Sequence, residues 1–195
     1  MNKIVESVHT RHLSLLTLIR EDHVRHHCDW TRPGFRALAV YRFGVWRMRI
    51  RSRALRAPLS FLYRRLFIRI RNRYGIEVPF SAQLGRRVTL EHSHSIVIHG
   101  NSVIGNDCYI RQGCTLGNKS LDAPFDAPIV GDRVNLGAGA KLLGKVIVGD
   151  DATIGANAVV VKHVPAGAVA IGIPARILSK VALASAATDI RQSMA

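Results

Sequence analysis

Histidine is the side chain that most readily takes up and returns a proton near neutral pH. Three of the nine in this chain, His92, His94 and His99, lie within one short stretch. One such imidazole can serve as a general base, and several together can hold zinc. A second group, His23, His26, His27, Cys28 and Asp29, also offers metal-ligand types. It falls in a segment of helical pattern with no ligand-spacing motif, so no metal site is expected there. Lys162 and Arg176 are cations of the kind that meet phosphate groups, with ordinary surface charge as the competing reading.

The element that must position these groups is visible as a period. Aliphatic residues recur every six positions through Val130, Leu136, Leu142, Val148, Ile154 and Val160, and four of these six precede a glycine. Ile98, Ile104, Ile110 and Leu116 show the same spacing, with Leu84, Leu90 and Ile96 before them in a shifted phase. A period of six is neither a helix nor an alternating strand; it predicts a solenoid whose short strands each send one aliphatic side chain inward. Three hexads close a triangular coil. The register breaks between Leu116 and Val130, so the turn-forming segment Asn118–Pro128 is expected to loop out of the prism, where binding residues tend to gather. Cys108 and Cys114, one hexad apart, fall on different faces and make a poor disulfide or metal pair.

Before Tyr74-Gly75 the pattern is helical, with an apolar series through Leu13, Leu16 and Ile19, then Pro33-Gly34 as punctuation. Much of the net charge of +15 sits next: thirteen arginines and no acidic residue between Trp30 and Ile76. Phe35, Trp46, Leu55, Leu59, Phe61, Leu62, Leu66, Phe67 and Ile70 are interleaved with them, which reads as basic amphipathic helices. Such helices suit a solvated face, or the anionic leaflet of a membrane; nucleic acid is not expected, because no motif for it accompanies the charge. The fold class is therefore mainly β, a parallel β-helix of hexapeptide repeats over 75–177, preceded by an α-helical, arginine-rich region over 1–74 and followed by a tail over 178–195.

Specific residues then carry a resemblance. Ile154-Gly155-Ala156-Asn157-Ala158-Val159-Val160, Val164-Pro165 and Gly172-Ile173-Pro174-Ala175-Arg176 resemble the C-terminal end of hexapeptide-repeat acyltransferases, which implies a left-handed β-helix. Leu90-Glu91-His92, Thr115-Leu116-Gly117 and Leu136-Gly137-Ala138-Gly139-Ala140-Lys141 resemble the serine acetyltransferase branch, as does Arg20-Glu21-Asp22. Ala57-Pro58-Leu59, Tyr74-Gly75-Ile76-Glu77, Leu84-Gly85-Arg86-Arg87 and Leu116-Gly117-Asn118 resemble, within that branch, the colanic-acid-type exopolysaccharide O-acetyltransferases.

The resemblance implies transfer of acetyl from acetyl-CoA to a hydroxyl, with His92 as the general base and Glu77, fifteen residues earlier, at the spacing of a carboxylate that orients the imidazole. It assigns Glu91, Asn118 and Asp126 to the acceptor, and Ala138, Ala156, Lys162 and Arg176 to CoA. It also implies a homotrimer with acceptor sites between prisms, and the N-terminal helices could join two trimers. One departure bears on the acceptor: the Arg-His pair that serine acetyltransferases place near the substrate carboxylate falls here on Asp126 and Ala127. An anion in place of a cation should repel a carboxylate, which points to a sugar hydroxyl, free or on a lipid-linked glycan of exopolysaccharide synthesis, with L-serine as the alternative.

Two readings of other classes compete. A γ-carbonic-anhydrase-like zinc enzyme could use His94 and His99, but no histidine lies between Cys28 and Glu91 to supply a ligand from an earlier coil. A non-catalytic scaffold would leave the arginine block as the functional part. Three cysteines without a pairing pattern argue for a reducing compartment. The first residues lack the apolar core of a signal peptide, and no apolar run reaches the roughly 18–20 residues that span a bilayer. The expected address is the cytoplasm, at the inner membrane face if the basic helices bind it.

Overall fold

The computed structural model describes residues 13–178. Residues 1–12 and most of the C-terminal tail lie outside them.

Among the described residues three helices come first: α1 (Leu15–Arg25), α2 (Pro33–Arg47) and α3 (Arg53–Tyr74). Ser14 caps α1 by accepting from the Thr17 amide at 3.1 Å, Pro33 opens α2 where no amide donor is needed, and Ser52 caps α3. Gly75 ends α3 in the left-handed region, at φ 59°, where a β-carbon would be strained.

From Ile76 the chain winds as a three-sided parallel solenoid. The first face stacks β1 (Ile76–Glu77), β4 (Ile96–Ile98), β7 (Thr115–Gly117), β10 (Lys141–Leu143) and β13 (Val159–Val160). The second stacks β2 (Gln83–Leu84), β5 (Val103–Ile104), β8 (Ile129–Val130) and β11 (Ile147–Val148). The third stacks β3 (Thr89–Glu91), β6 (Tyr109–Arg111), β9 (Asn135–Leu136), β12 (Thr153–Ile154) and β14 (Val169–Ile171), and β15 (Arg176–Leu178) closes it antiparallel to β14. The hexad aliphatics form the buried axis, Leu84, Leu90, Ile104, Ile110, Leu116, Leu136, Leu142 and Ile154 among them. Each such side chain contributes about 1.5–3 kcal/mol on leaving water.

The coils are not uniform. Leu142 pairs with Val160 eighteen residues on, but Ile76 pairs with Ile96, Leu84 with Ile104 and Leu90 with Ile110, each twenty apart. The extra two residues lie in the corner between β3 and β4, which accounts for the shifted phase in the sequence. A larger excursion over 118–128 separates β7 from β8, as the break after Leu116 predicts.

Where the edge between the second and third faces turns, a polar ladder holds successive coils. Arg86 N–H donates to Asn106 Oδ1, Asn106 N–H to Asp132 Oδ1 and Asp132 N–H to Asp150 Oδ1. Both cysteines of the solenoid are buried, their thiols facing the Gly131 and Gly137 carbonyls at 3.0 and 3.1 Å. Burial pushes the Cys108 thiol up to about 12, so it stays protonated and unreactive.

The helical layer differs from its sequence pattern in which face turns inward. On α1, Leu16 is exposed and Leu18 is buried, followed at i+4 and i+8 by Asp22 and His26. The inner face of this helix is set by polar pairing, which an apolar count cannot detect. Arg42 of α2 takes Asp22 in a two-point ion pair at 2.8 and 3.3 Å and donates to the carbonyls of Leu84 and Gly85 at 3.2 and 2.7 Å. His26 donates from Nδ1 to the Asp22 carbonyl at 2.6 Å and accepts the Leu90 amide at Nε2, 3.3 Å away. Burial lowers its pKa, which keeps the ring neutral and Nε2 free to accept. These contacts clamp the helices onto β2 and β3.

Candidate active site

His92 is the first residue after β3, in the corner that leads from the third face to the first. Three of its four residues hold positive φ without being glycine: His92 at 64°, His94 at 82° and Ser95 at 56°. Such backbone persists only where the surroundings impose it, and it concentrates at functional positions. Here the surroundings are the end of α3 on one side and the next coil on the other: His94 N–H donates to the Tyr74 carbonyl at 2.8 Å, and the His94 carbonyl accepts from Gly113 N–H at 3.0 Å.

The imidazole is exposed and lines a cavity of about 500 Å³ with Thr31, Arg32, Pro33, Gly34, Leu90, Ser93 and Gln112. Half of this wall comes from the start of α2. Gly34 permits it: a β-carbon there would overlap the Leu90 carbonyl oxygen and lie 2.9 Å from its carbonyl carbon. Gly34→Ala should therefore push α2 off β3 and cost about 1–3 kcal/mol, as overpacking does. Thermal unfolding reads this as a lowered melting temperature; an unchanged value would mean that the helix does not need this approach.

Glu91 accepts a hydrogen bond from Arg32 Nη1 at 3.2 Å, so its carboxylate is already paired with a cation beside the cavity. The Gln112 side-chain oxygen is buried at the cavity with no hydrogen-bond partner among the described residues. Gln112 lies one twenty-residue coil after His92, a relation that an assumed eighteen-residue coil hides. Arg32 and Gly34 carried no signal beyond the Pro-Gly punctuation.

The same prism edge carries two of the four residues assigned to CoA, Ala138 and Ala156. Gly139 N–H donates to the Gln112 carbonyl and Asn157 N–H to the Ala138 carbonyl, both at 2.8 Å. The corners at His92, Gln112, Ala138 and Ala156 thus follow one another along one edge. Lys162 and Arg176 line a different recess of about 300 Å³ at the C-terminal end of the solenoid, with His163, Ala170 and Ala175.

Among the described residues no hydrogen bond or ion pair joins the other assigned residues to His92. Glu77 is in register with Val97 and sits 3.8 Å from Arg71 Nε; no hydrogen bond joins it to His92. Asn118 and Asp126 belong to the excursion between the first and second faces, across the first face from the His92 edge. Asn118 donates to the Ser120 carbonyl at 2.8 Å, Asn101 holds the excursion through the Phe125 carbonyl at 3.1 Å, and Ala127 is buried.

Among the described residues no group of three or more His, Cys, Asp or Glu side chains is placed to hold a metal ion. His94 and His99 sit at opposite ends of β4, and His99 Nδ1 accepts from the Asn101 amide at 3.1 Å. Of the second histidine group, His26 is committed to the helix clamp.

Comparison with known proteins agrees with this geometry. Residues 127–162 match the model of the bacterial transferase hexapeptide (six repeats). A serine acetyltransferase of Mycobacterium tuberculosis (strain ATCC 25618 / H37Rv) is 38% identical over 149 residues, covering 76% of this chain and 62% of that protein. The chain thus spans about three fifths of that relative. A serine acetyltransferase of Helicobacter pylori (strain J99) is 39% identical over 148 residues, covering 76% of this chain and 82% of its own length. A solved serine acetyltransferase in complex with CoA superposes with a TM-score of 0.72 at 31% identity, over 90% of this chain and 74% of that one. With the solenoid, its interrupted corner and these relatives together, the chain belongs to the serine acetyltransferase family of hexapeptide-repeat transferases.

Proposed function

We propose that the chain is an acetyl-CoA-dependent O-acetyltransferase of the serine acetyltransferase type, with His92 as its general base. The observation that carries this reading is the alignment of an exposed imidazole with the Ala138 and Ala156 corners on one prism edge. A relative of the same fold is solved in complex with CoA. In the proposed reaction His92 takes the proton of the acceptor hydroxyl as its oxygen attacks the thioester carbonyl. The tetrahedral oxyanion collapses, the carbon–sulfur bond breaks, and the imidazolium returns the proton to the departing CoA thiolate. We assign Glu77, whose pairing with Arg71 is loose, to orienting the imidazole, and Lys162 and Arg176 to the nucleotide phosphates.

The relatives favour L-serine as acceptor. Asp126 and Ala127 favour a second reading, a neutral sugar hydroxyl of the exopolysaccharide type, because an anion replaces the cation expected to face serine's carboxylate. On either reading the excursion that carries Asn118 and Asp126 reaches a His92 cavity on a neighbouring copy of a homotrimer. Free thiols at Cys28, Cys108 and Cys114 suit a reducing, cytoplasmic setting.

Thiol release from acetyl-CoA tests the reading, with L-serine compared against a panel of sugars and lipid-linked glycans. Saturable release with serine alone supports the first acceptor, and release with a sugar alone supports the second. Failure with every hydroxyl acceptor sinks the enzyme.

A further inference from the structure

The outer face of α3 is not explained by acetyl transfer. Tyr63 and Ile70 mark the side of this helix buried against the rest of the protein. At about 100° per residue, Phe61 lies nearly opposite both. It is 68% exposed, and Leu62 and Leu55, 47% and 66% exposed, both lie about 100–120° round the helix to one side of it. Around this apolar surface stand seven arginines of the same helix, at 53, 56, 64, 65, 69, 71 and 73, with no acidic residue. Arg53, Arg64, Arg65 and Arg69 are exposed and have no side-chain partner among the described residues. No helix among those residues is long and apolar enough to cross a membrane.

We propose that α3 is a membrane-docking helix that lies in the interface of an anionic bilayer, with Phe61, Leu62 and Leu55 entering the acyl boundary and Arg53, Arg64, Arg65 and Arg69 facing lipid phosphates. Charge and apolarity together select this occupant. A soluble polyanion would satisfy the arginines but gain little from Phe61 and Leu62. A second copy meeting the helix face to face would oppose arginine with arginine, since the whole stretch from Trp30 to Ile76 lacks an acid. A bilayer containing phosphatidylglycerol satisfies both. The inference does not depend on which hydroxyl is acetylated.

The test is co-sedimentation of the full chain with vesicles of phosphatidylcholine alone or with 30 mol% phosphatidylglycerol, at 0.15 M and 1 M salt. Binding is expected on the anionic vesicles at the lower salt and should largely vanish at the higher. Arg64→Glu, Arg65→Glu and Arg69→Glu combined should weaken the partition by roughly 100-fold or more, each charge adding to the loss. Phe61→Ser with Leu62→Ser should weaken it about tenfold or more by removing the inserted surface. These side chains are exposed, so a melting temperature close to that of the parent confirms that each variant is folded.

The proposal is overturned by equal binding to neutral vesicles or by no binding to anionic vesicles at 0.15 M salt. It is also overturned if Phe61→Ser with Leu62→Ser leaves vesicle binding intact, which would mark a surface for soluble polyanions. Loss of an oligomer in sedimentation velocity on that same change, without loss of vesicle binding, would mark an interface between copies and overturn it too.

Discussion

Replacing His92 by asparagine is expected to lower kcat for thiol release by about 10²–10⁴-fold, the range of a lost general base, while the melting temperature stays close to that of the parent. Asparagine is the informative substitution because of the backbone. His92 sits at φ 64°, where alanine adds strain of its own, whereas asparagine adopts the left-handed region several-fold more readily than most residues. The side chain is exposed and makes no hydrogen bond that the fold requires, so a stability loss would point to the corner rather than to chemistry. KM for acetyl-CoA should change little, because in the proposed mechanism the imidazole acts on the acceptor proton and not on the pantetheine arm. Unaltered kcat in this variant would remove His92 from the mechanism and leave the solenoid as a scaffold. A fall in kcat accompanied by a large fall in melting temperature would assign it a structural role.

The solenoid was legible because its cause is periodic: one inward aliphatic side chain per short strand leaves a mark every six residues that no other regular element makes. The excursion after Leu116 and the phase change between Ile96 and Ile98 were legible as breaks in that period. The phase change marks the two extra residues of the His92 corner. Its consequence for neighbours was harder to see, since a twenty-residue coil sets Glu77 opposite Val97 and places Gln112, not an acidic residue, on the coil above His92.

The helical layer was legible only as helices. On α3 the apolar residues are split between a buried side at Tyr63 and Ile70 and an open side at Phe61 and Leu62, so composition alone could not orient it. On α1 the inward positions after Leu18 are Asp22 and His26, which a hydrophobic pattern places outside. The resemblance to serine acetyltransferases in Leu90-Glu91-His92 pointed to His92, the proposed base; the residues that wall its cavity from α2 left no such trace, because Gly34 works by lacking a side chain.

Removing the Asp22 carboxylate should produce the largest stability change outside the prism. The Asp22 and Arg42 side chains are 1% and 2% exposed. Burial acts against the Arg42 charge, yet the facing carboxylate outweighs it and holds the guanidinium protonated. Asp22→Ala therefore leaves a buried cation whose remaining hydrogen-bond partners among the described residues are the Leu84 and Gly85 carbonyls, a loss of about 3–5 kcal/mol in comparable pairs. For a chain of this size that corresponds to roughly 10 °C in melting temperature.

The double change Asp22→Ala with Arg42→Met separates the cost of a stranded charge from the worth of the pair. If the desolvated charge is the main penalty, the double variant recovers much of the loss, and the two single effects fail to add. Additive effects would instead mean that each side chain matters through separate contacts. Activity should follow the same order as stability, because Arg42 and His26, together with the Tyr41 hydroxyl, hold the helices on β2 and β3 and keep Arg32 and Gly34 in the wall of the His92 cavity. A variant that loses the clamp is expected to lose thiol-release activity on warming before the solenoid itself unfolds, with far-ultraviolet circular dichroism reporting the helices and the strands in turn. Simultaneous loss of activity, helix and strand would show that the layer and the prism are a single cooperative unit.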